Sequence, residues 1–415
     1  MIGWIKGEID FGTLILWLYG AAGAGKSAIA HTLAELCDKD GLLLATFFFW
    51  KTAAERSDIT RLIATIAYQI ARAIPASRSQ IKAAVDADLM IFHQSIDTQL
   101  SKLIVEPLLR LHSTGFDFKD SPFVIIIDGL DECQGTDMQS WLVKSLVAAF
   151  HHSPLRIRIL IASRPEVHLQ STFNLSSVQP RLSRLALSNE YSPNEDIYRF
   201  LEDSFDKIGR EHPLASYIPS SWPSADILRE LTEKSSGQFI FASTTVKYIG
   251  GDSHQLPHRR LDVIRSLQPP RGEEDLPYAE LNSLYNHVLS NVRDIERVKQ
   301  VLGLLVIVIP LIDNYTASAS RIDNYCSFQP GETRACLSQL ASVIDCDCQN
   351  DEYISILHAS LVDFLVDPSR SHQFYLCREF VLGESAALGL CRMLQGEYGK
   401  SGVPFLPSHN LFFES

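Results

Sequence analysis

The sequence has few cysteines, no block of basic residues and no apolar stretch long enough to span a membrane. Its 8 cysteines among 415 residues are irregularly spaced, which argues against a disulfide framework and favours a reducing, cytoplasmic location. The longest apolar stretch, residues 301–312, contains Pro310 and is shorter than the roughly 20 residues of a membrane-spanning helix. With 37 Lys and Arg against 49 Asp and Glu, the net charge is −12, which argues against binding to a nucleic-acid backbone.

What the chain does contain is an alternation of apolar runs and helical patterns. Hydrophobic residues make up 46% of the 415 residues, which is typical of a folded protein with two or three domains. Mostly apolar runs predict buried strands at residues 14–18, 42–50, 123–127 and 157–162. Apolar residues at helical spacing separate them, for example at residues 26–36, 59–74, 99–111 and 138–151. This alternation predicts an α/β fold with a doubly wound parallel sheet.

The pattern changes after about residue 180, where helical periodicity replaces the continuous apolar runs. A segment rich in proline and charge, QPPRGEEDLP at residues 268–277, is the clearest linker in the chain. Short helical patterns follow it, with one strand pattern at residues 353–357, and together they predict a winged-helix-like domain. The predicted segments are an α/β domain at 1–180, a small helical domain at 181–267, the linker at 268–277, a winged-helix-like domain at 278–376 and the start of a further helical segment at 377–415.

The segment between the first strand and the first helix fits the P-loop pattern GxxxxGK[ST]. Its residues are Gly20, Ala21, Ala22, Gly23, Ala24, Gly25, Lys26 and Ser27. The glycines allow successive backbone N–H groups to point at phosphate oxygens, and the helix N-terminus favours an anion. We expect Lys26 to reach the β- and γ-phosphates and the Ser27 hydroxyl to coordinate Mg²⁺. The pattern therefore predicts a binding site for a nucleotide with Mg²⁺.

Acidic residues follow the apolar strand at residues 123–127. Asp128 lies at its carboxyl end, the edge at which parallel sheets bind ligands, and is therefore a candidate for holding Mg²⁺. Asp131 and Glu132 follow closely and are candidates for orienting or deprotonating the attacking water. The alternative interpretation of these two residues is an acidic pair that stabilises a helix N-terminus.

An arginine follows the strand predicted at residues 157–162, in the string ASRPE. At the carboxyl edge of the sheet, the Arg164 guanidinium is a candidate for sensing the γ-phosphate through a charge-assisted hydrogen bond. The alternative interpretation is an exposed arginine whose aliphatic part packs along the end of the strand.

Together these motifs resemble the NACHT-type STAND P-loop NTPases, in particular fungal proteins whose NTPase module is described as nephrocystin-3-like. The segments that carry the resemblance are ILWLYGAAGAGKSAIAHTLAELC, FVIIIDGLDEC, ILIASRPE and LHASLVDFLVDPSRSHQFYL. The string DGLDE is the most specific, because in this family a second acidic residue follows the aspartate at the strand end. By this resemblance residues 1–180 are a NACHT domain that binds ATP or ADP with Mg²⁺, and GTP stays open as an alternative nucleotide.

The resemblance also implies a movement of domains. In such proteins the winged-helix domain closes over ADP in the resting state, moves away when ATP replaces it, and contributes a histidine that contacts the β-phosphate. His358 in the string ILHAS matches this position, although a lone histidine after a short apolar strand is more often a core residue. Family members often carry Gly-x-Pro in the helical domain, where the proline packs on the base. This chain has Gly237-Gln238-Phe239 instead, which leaves its base preference open.

We therefore expect a signalling switch that binds ATP or ADP, hydrolyses ATP slowly, and uses the nucleotide to control domain opening and self-association. The alternative is a non-hydrolysing interaction module in which the nucleotide is a structural ligand. A metabolic kinase is a weaker third hypothesis, because no motif for an acceptor substrate is present. The expected partners are the nucleotide, further copies of the chain and unidentified proteins, but neither nucleic acid nor a membrane.

Overall fold

The computed structural model describes most of the chain: residues 1–10, 12–51, 54–116, 123–150, 153–187, 193–219, 221–251, 254–269, 278–311, 317–346 and 354–394. The described residues form two compact units. The first contains residues 1–21, 25–51 and 55–187, and the second contains residues 22–24, 54 and 193–394.

A five-stranded parallel sheet forms the centre of the first unit. Its strands are β1 (Ile15–Gly20), β2 (Leu43–Phe48), β3 (Phe123–Asp128), β4 (Ile157–Ser163) and β5 (Leu182–Leu187). The spatial order is β2-β3-β4-β1-β5. The structure thus confirms the predicted α/β fold with a parallel sheet, and β1 to β4 coincide with the four predicted strands to within about two residues at each end.

Alternate residues of the central strands enter two separate cores, one on each face of the sheet. Ile125 and Ile127 of β3 lie in one core with Ile159 of β4, whereas Val124 and Ile126 of β3 lie in the other. Successive side chains of a strand point to opposite faces, so a strand covered on both sides is mostly apolar along its length. This is why β3 is apolar from Phe123 to Ile127 and why β4 is mostly apolar, with Arg158 as its one charged residue.

The helices of the first unit are α1 (Ile2–Ile5), α2 (Lys26–Lys39), α3 (Ala54–Ser57), α4 (Leu62–Ala73), α5 (Arg78–Ala87), α6 (Ile96–Leu100), α7 (Glu106–Ser113), α8 (Thr136–Phe150) and α9 (Val167–Phe173). Two predicted helices are less regular than expected. The helix predicted at residues 59–74 begins with the 3₁₀ turn Ile59–Arg61 before α4. The helix predicted at residues 99–111 is divided into α6, a π-helical turn at Ser101–Val105 and α7.

Strand β5 corrects the extent of the sheet. Residues 182–187 were expected to belong to the small helical domain, yet β5 pairs in parallel with β1, so the sheet continues to Leu187. The strand was missed because it lies at the sheet edge and is only partly buried, so it lacks a continuous apolar run. Helix α9, which precedes it, was missed as well.

We expect removal of a side chain from the middle of this sheet to destabilise the first unit strongly. Ile159 is fully buried (0% exposed), so Ile159→Ala should lower the free energy of unfolding by about 2–5 kcal/mol. The matched control is Leu89→Ala, whose side chain is 80% exposed, and it should change that free energy by less than about 0.5 kcal/mol. Urea unfolding followed by tryptophan fluorescence measures both, and equal effects would contradict the assignment of Ile159 to the core.

The second unit is mainly helical. Its helices are α10 (Pro193–Glu211), α11 (Ala225–Ser235), α12 (Phe239–Gly250), α13 (Pro257–Ser266), α14 (Ala279–Ser290), α15 (Ile295–Gly303), α16 (Ala319–Cys326), α17 (Glu332–Leu337), α18 (Ala359–Leu365), α19 (Pro368–Ser371) and α20 (Arg378–Leu394). Strands β6 (Ile344–Cys346) and β7 (Ile354–Ile356) pair in an antiparallel ladder. The predicted strand at residues 353–357 corresponds to β7, whereas β6 was not predicted.

The apolar stretch at residues 301–312 lies in the core of the second unit. Helix α15 continues into a π-helical turn at Leu304–Val308, whose five residues are all buried, and then into the 3₁₀ turn Ile309–Leu311. No helix within the described ranges is long and apolar enough to cross a membrane. The predictions for most of the linker (270–277) and for the chain after residue 394 fall outside the described residues.

Candidate functional site

Three strands of the first unit end side by side. Strand β4 lies between β1 and β3, with Tyr19 of β1 level with Ser163 of β4, and Ile127 of β3 level with Ile161 of β4. Because the strands are parallel and in register, the segments that leave them emerge at the same edge of the sheet. The residues predicted to contact phosphate and Mg²⁺ follow these strand ends.

The P-loop connects β1 to α2 with the backbone conformation that its glycines predict. Gly23 and Gly25 have φ angles of +77° and +88°, which side-chain-bearing residues rarely adopt. Gly25 is the N-cap of α2, so Lys26 and Ser27 occupy the first turn of that helix. Ala21, Ala22 and Ala24 occupy the remaining positions of the loop after Gly20.

The Lys26 ammonium is held by the loop itself. Its Nζ donates hydrogen bonds to the carbonyl oxygens of Gly20 and Ala21, both at 2.9 Å. Burial lowers the pKa of Lys26, while the carboxylates of Asp131, Asp128 and Glu132 oppose that shift. A partly desolvated cation fixed at the mouth of the loop is suited to binding phosphate oxygens.

The Asp128 carboxyl group lies at the end of β3, 4% exposed, beside Ser27. The Ser27 side chain forms a hydrogen bond with it, but its Oδ1 atom is buried without a hydrogen-bond partner among the residues that the structure describes. Burial raises the pKa of Asp128. Mg²⁺ prefers oxygen ligands and is commonly held by one or two protein groups together with phosphates. An unpartnered carboxylate oxygen next to a hydroxyl therefore fits the predicted ion.

A short turn places the next two acidic residues. Gly129, with a φ of +69°, follows β3 and is the N-cap of the 3₁₀ turn Leu130–Glu132. A Cβ at Gly129 would lie 3.1 Å from the Phe49 carbonyl oxygen, so this position has little room for a side chain. The chain can therefore reverse tightly after the strand and bring both carboxylates back to the sheet edge.

Asp131 and Arg164 are brought together by β3 and β4, but they bind each other. The Arg164 backbone N–H donates to Asp131 Oδ1 at 2.9 Å, and Arg164 Nε lies 3.2 Å from Asp131 Oδ2. The Asp131 side chain is only 8% exposed. Both residues thus lie where the sequence predicted, and their pairing joins the segments that follow β3 and β4.

Glu132 has a different environment. Its Oε2 accepts a hydrogen bond from the Lys51 backbone N–H at 3.1 Å, and the residue is half-buried. Burial, and next the negative charge of Asp131, raise the pKa of Glu132 to about 7. A carboxylate with a pKa near neutrality is suited to accept a proton at physiological pH. Of the two predicted acidic residues, Glu132 has the better properties for a general base.

His358 belongs to the second unit, where it caps α18. Its Nδ1 accepts a hydrogen bond from the Ser360 backbone N–H at 3.0 Å and lies 2.7 Å from Ser360 Oγ. The Tyr285 hydroxyl lies 2.8 Å from that same Oγ. Within its own unit, His358 therefore has a structural function at the start of a helix. The predicted contact with a nucleotide stays a prediction.

Sequence reasoning missed three groups around the acidic turn: the Lys51 backbone N–H and the side chains of Gln139 and His168. Gln139 Nε2 donates to the carbonyl oxygens of Asp131 and Cys133 at 3.3 and 2.7 Å, and Gln139 Oε1 lies 2.6 Å from His168 Nε2. None of these groups belongs to a sequence motif. Their positions depend on how α8 and α9 pack, which spacing along the chain does not indicate.

Comparisons with known proteins agree with the resemblance over the first part of the chain. Residues 3–164 match the family model described as "Nephrocystin 3, N-terminal". Over this segment the chain is similar to nephrocystin-3 N-terminal domains, and this match agrees with the predicted resemblance to NACHT-type STAND P-loop NTPases. The fungal part of that resemblance stays a prediction. A search of curated proteins found no significant match.

Several solved structures are distantly similar. A STAND protein with a tetratricopeptide repeat sensor from Pyrococcus horikoshii shares 13% identity over 96% of this chain, with a TM-score of 0.47; this chain spans 45% of that protein. Cdc6p from Pyrobaculum aerophilum shares 14% identity over 86% of this chain and 87% of its own, with a TM-score of 0.36. A chain of the Drosophila ORC bound to DNA shares 14% identity over 90% of this chain and 94% of its own length, with a TM-score of 0.40. All three TM-scores are below 0.5, and the fold described above rests on the sheet of this chain itself.

Proposed function

We propose that this protein is a nucleotide-binding switch that binds ATP or ADP with Mg²⁺ and hydrolyses ATP slowly. The observation that carries the proposal is the buried Asp128 Oδ1, which has no hydrogen-bond partner among the described residues and lies beside Ser27 at the P-loop. A buried carboxylate oxygen left unpaired costs free energy unless something binds it. Ser27 and Asp128 would hold the ion, which when bound supplies positive charge to the phosphate oxygens.

The remaining residues of the loop bind and orient the phosphates. The backbone N–H groups of residues 20–25 would bind the anion, and the N-terminus of α2 would add its dipole. Lys26 would exchange its hydrogen bonds to Gly20 and Ala21 for bonds to phosphate oxygens. These interactions do not depend on the base, so GTP is tested beside ATP and ADP.

Hydrolysis in this proposal depends on Glu132, whose carboxylate accepts a proton from the attacking water. Asp131 and Arg164 neutralise each other in the described structure. The proposal requires Arg164 to exchange its ion pair with Asp131 for the γ-phosphate. A slow reaction follows from that requirement, because the pair must be exchanged before the phosphate charge is stabilised.

The link from nucleotide to signal follows the family expectation. Residues 181–267 and 278–376, a helical and a winged-helix-like domain joined by the linker at 268–277, would change position when ATP replaces ADP. His358 would contact the β-phosphate in the resting state, and the rearranged domains would expose a surface for self-association. The resemblance supports each of these assignments, and the few, irregularly spaced cysteines support a cytoplasmic location.

Asp128→Asn tests the proposal most directly. In the wild-type protein, Mg²⁺ should tighten ATP binding, measured by calorimetry with Mg²⁺ and with EDTA. Loss of the charged oxygen should weaken ATP binding in the presence of Mg²⁺ by roughly 10- to 100-fold, because a hydrogen bond or ion contact of a charged group is worth about 1.5–3 kcal/mol. Binding in EDTA should change much less. Asp137→Asn, an exposed carboxylate in the first turn of α8, is the matched control. A wild-type protein that binds none of the three nucleotides would refute the proposal.

A non-hydrolysing, nucleotide-stabilised scaffold is the second candidate. The observation that favours it is the Asp131–Arg164 ion pair, because a residue expected at the attacking water and a residue expected at the γ-phosphate bind each other instead. Tight binding of Mg²⁺ and ADP without any release of phosphate from ATP would support this candidate over the first.

A further inference from the structure

The peptide group that joins Asp131 to Glu132 is fixed at both of its polar atoms. Its N–H, which belongs to Glu132, donates to the Gly129 carbonyl oxygen at 2.7 Å. Its carbonyl oxygen, which belongs to Asp131, accepts from Gln139 Nε2 at 3.3 Å. The same Nε2 donates to the Cys133 carbonyl oxygen at 2.7 Å. The backbone on both sides of Glu132 is thus held by one amide group, which restricts the direction in which the Glu132 side chain leaves the chain.

The orientation of the Gln139 amide follows from these contacts. Gln139 lies on α8, is 4% exposed, and faces two backbone carbonyls, which can only accept hydrogen bonds. Its NH₂ group must therefore face the turn, and its Oε1 must face His168 Nε2 at 2.6 Å. An oxygen in that position requires a donor, so the His168 ring carries a proton on Nε2.

We propose that Gln139 and His168 are positioning residues for the Glu132 carboxylate. His168 fixes the orientation of the Gln139 amide, and that amide fixes the backbone of the turn from which Glu132 projects. Neither residue is proposed to touch the nucleotide. The inference rests on the proposed function in one respect, because the importance of a fixed Glu132 depends on its use as the base.

This attachment is separate from the Asp131–Arg164 ion pair. Arg164 binds the Asp131 side chain, whereas Gln139 binds main-chain carbonyls. His168 lies in the second position of α9, four residues after Arg164, so both attachments come from the segment that leaves β4. The acidic turn is thus held to the end of β4 by a side-chain contact and, through Gln139, by a main-chain contact. A variant that loses the Gln139 hydrogen bonds therefore keeps the Asp131–Arg164 ion pair.

The kinetic test compares four variants of the full chain. Gln139→Leu and His168→Asn should lower kcat for ATP hydrolysis by roughly 10- to 100-fold, since a misplacement of about 1 Å costs that much. KM and the Kd for ADP should stay within about twofold. His168→Gln should keep most of the activity, because its amide nitrogen can occupy the place of Nε2, which the shorter asparagine cannot reach. The control Gln170→Leu alters an exposed glutamine on α9 and should keep the wild-type rate.

A merely structural function would give a different result. The thermal midpoint and the Kd for ADP would then change together with kcat, and His168→Gln would be no better than His168→Asn. Either result overturns the inference. If Gln139→Leu does not fold, His168→Asn carries the test, because it leaves the buried amide in place.

A second measurement does not depend on hydrolysis. Long-range ¹H–¹⁵N NMR of the ¹⁵N-histidine-labelled protein shows which ring nitrogen of His168 is protonated, with the signal assigned by its loss in His168→Gln. A proton on Nε2 that is no longer fixed there in Gln139→Leu supports the inference, and a proton on Nδ1 alone in the wild-type protein, with Nε2 unprotonated, overturns it. If the wild-type protein binds nucleotide without turnover, the proposed hydrolysis fails and the ring proton decides this inference alone.

Discussion

Lys26→Ala should abolish nucleotide binding at micromolar concentrations. The ammonium is partly buried at the P-loop, where burial already lowers its pKa, and truncation of a buried charged partner costs about 2–5 kcal/mol, or roughly 30- to 5000-fold in Kd. Calorimetric titration with ATP, ADP and GTP measures the loss. We expect it for all three nucleotides, because the lysine is predicted to bind phosphate rather than the base.

The matched control for this experiment is Lys39→Ala. Lys39 is an exposed lysine in the last turn of α2, so this substitution removes the same charge as Lys26→Ala, but from the opposite end of the helix. Circular dichroism should show both variants folded. If the two variants bound nucleotide equally well, the P-loop interpretation of residues 20–27 would be wrong.

Glu132→Gln should separate binding from hydrolysis. Loss of a general base typically costs 10²- to 10⁴-fold in rate, whereas the Kd for ATP should be nearly unchanged because Glu132 is not expected to contact the phosphates. Phosphate release and calorimetry measure the two quantities. Glu35→Gln, an exposed carboxylate on α2, is the control and should behave as wild type.

The same residue predicts a pH dependence. A general base acts in its ionised form, and the pKa of Glu132 is raised to about 7, so kcat/KM should rise with pH across that value and level off about one unit above it. The inflection should be missing from the residual rate of Glu132→Gln. A wild-type profile that is flat between pH 6 and 8 would assign the proton transfer to another group.

Features that depend on a pattern within a few consecutive residues could be predicted from the sequence. The P-loop, Asp128 and strands β1 to β4 carry signals that lie within a few consecutive residues: glycine spacing, or an apolar run imposed by burial on both faces of a sheet. Strand β5 was missed because an edge strand is only partly buried and therefore need not be a continuous apolar run. Local signals therefore located the centre of the sheet and the loop, but not the limit of the sheet.

The relations between residues distant in sequence could not be predicted. Asp131 was expected to act on the attacking water and Arg164 at the γ-phosphate, and their mutual ion pair depends on β3 and β4 being neighbours in register. The hydrogen bonds of Gln139 and His168 depend in addition on the packing of α8 and α9. The sequence thus predicted several groups that lie at the carboxyl edge of the sheet, and the fold decides which of them bind each other.

The strand order has a consequence for which changes this chain can tolerate. β1, which supplies the phosphate loop, and β3, which supplies Asp128, do not pair with each other, since each pairs with β4. One strand lies between them, so the position of β4 determines the distance between the loop after β1 and the Asp128 carboxylate. The residues of β4 are buried along its whole length. A substitution in β4 that shifts its neighbours would therefore change the distance between the loop and Asp128 as well as the packing of the core.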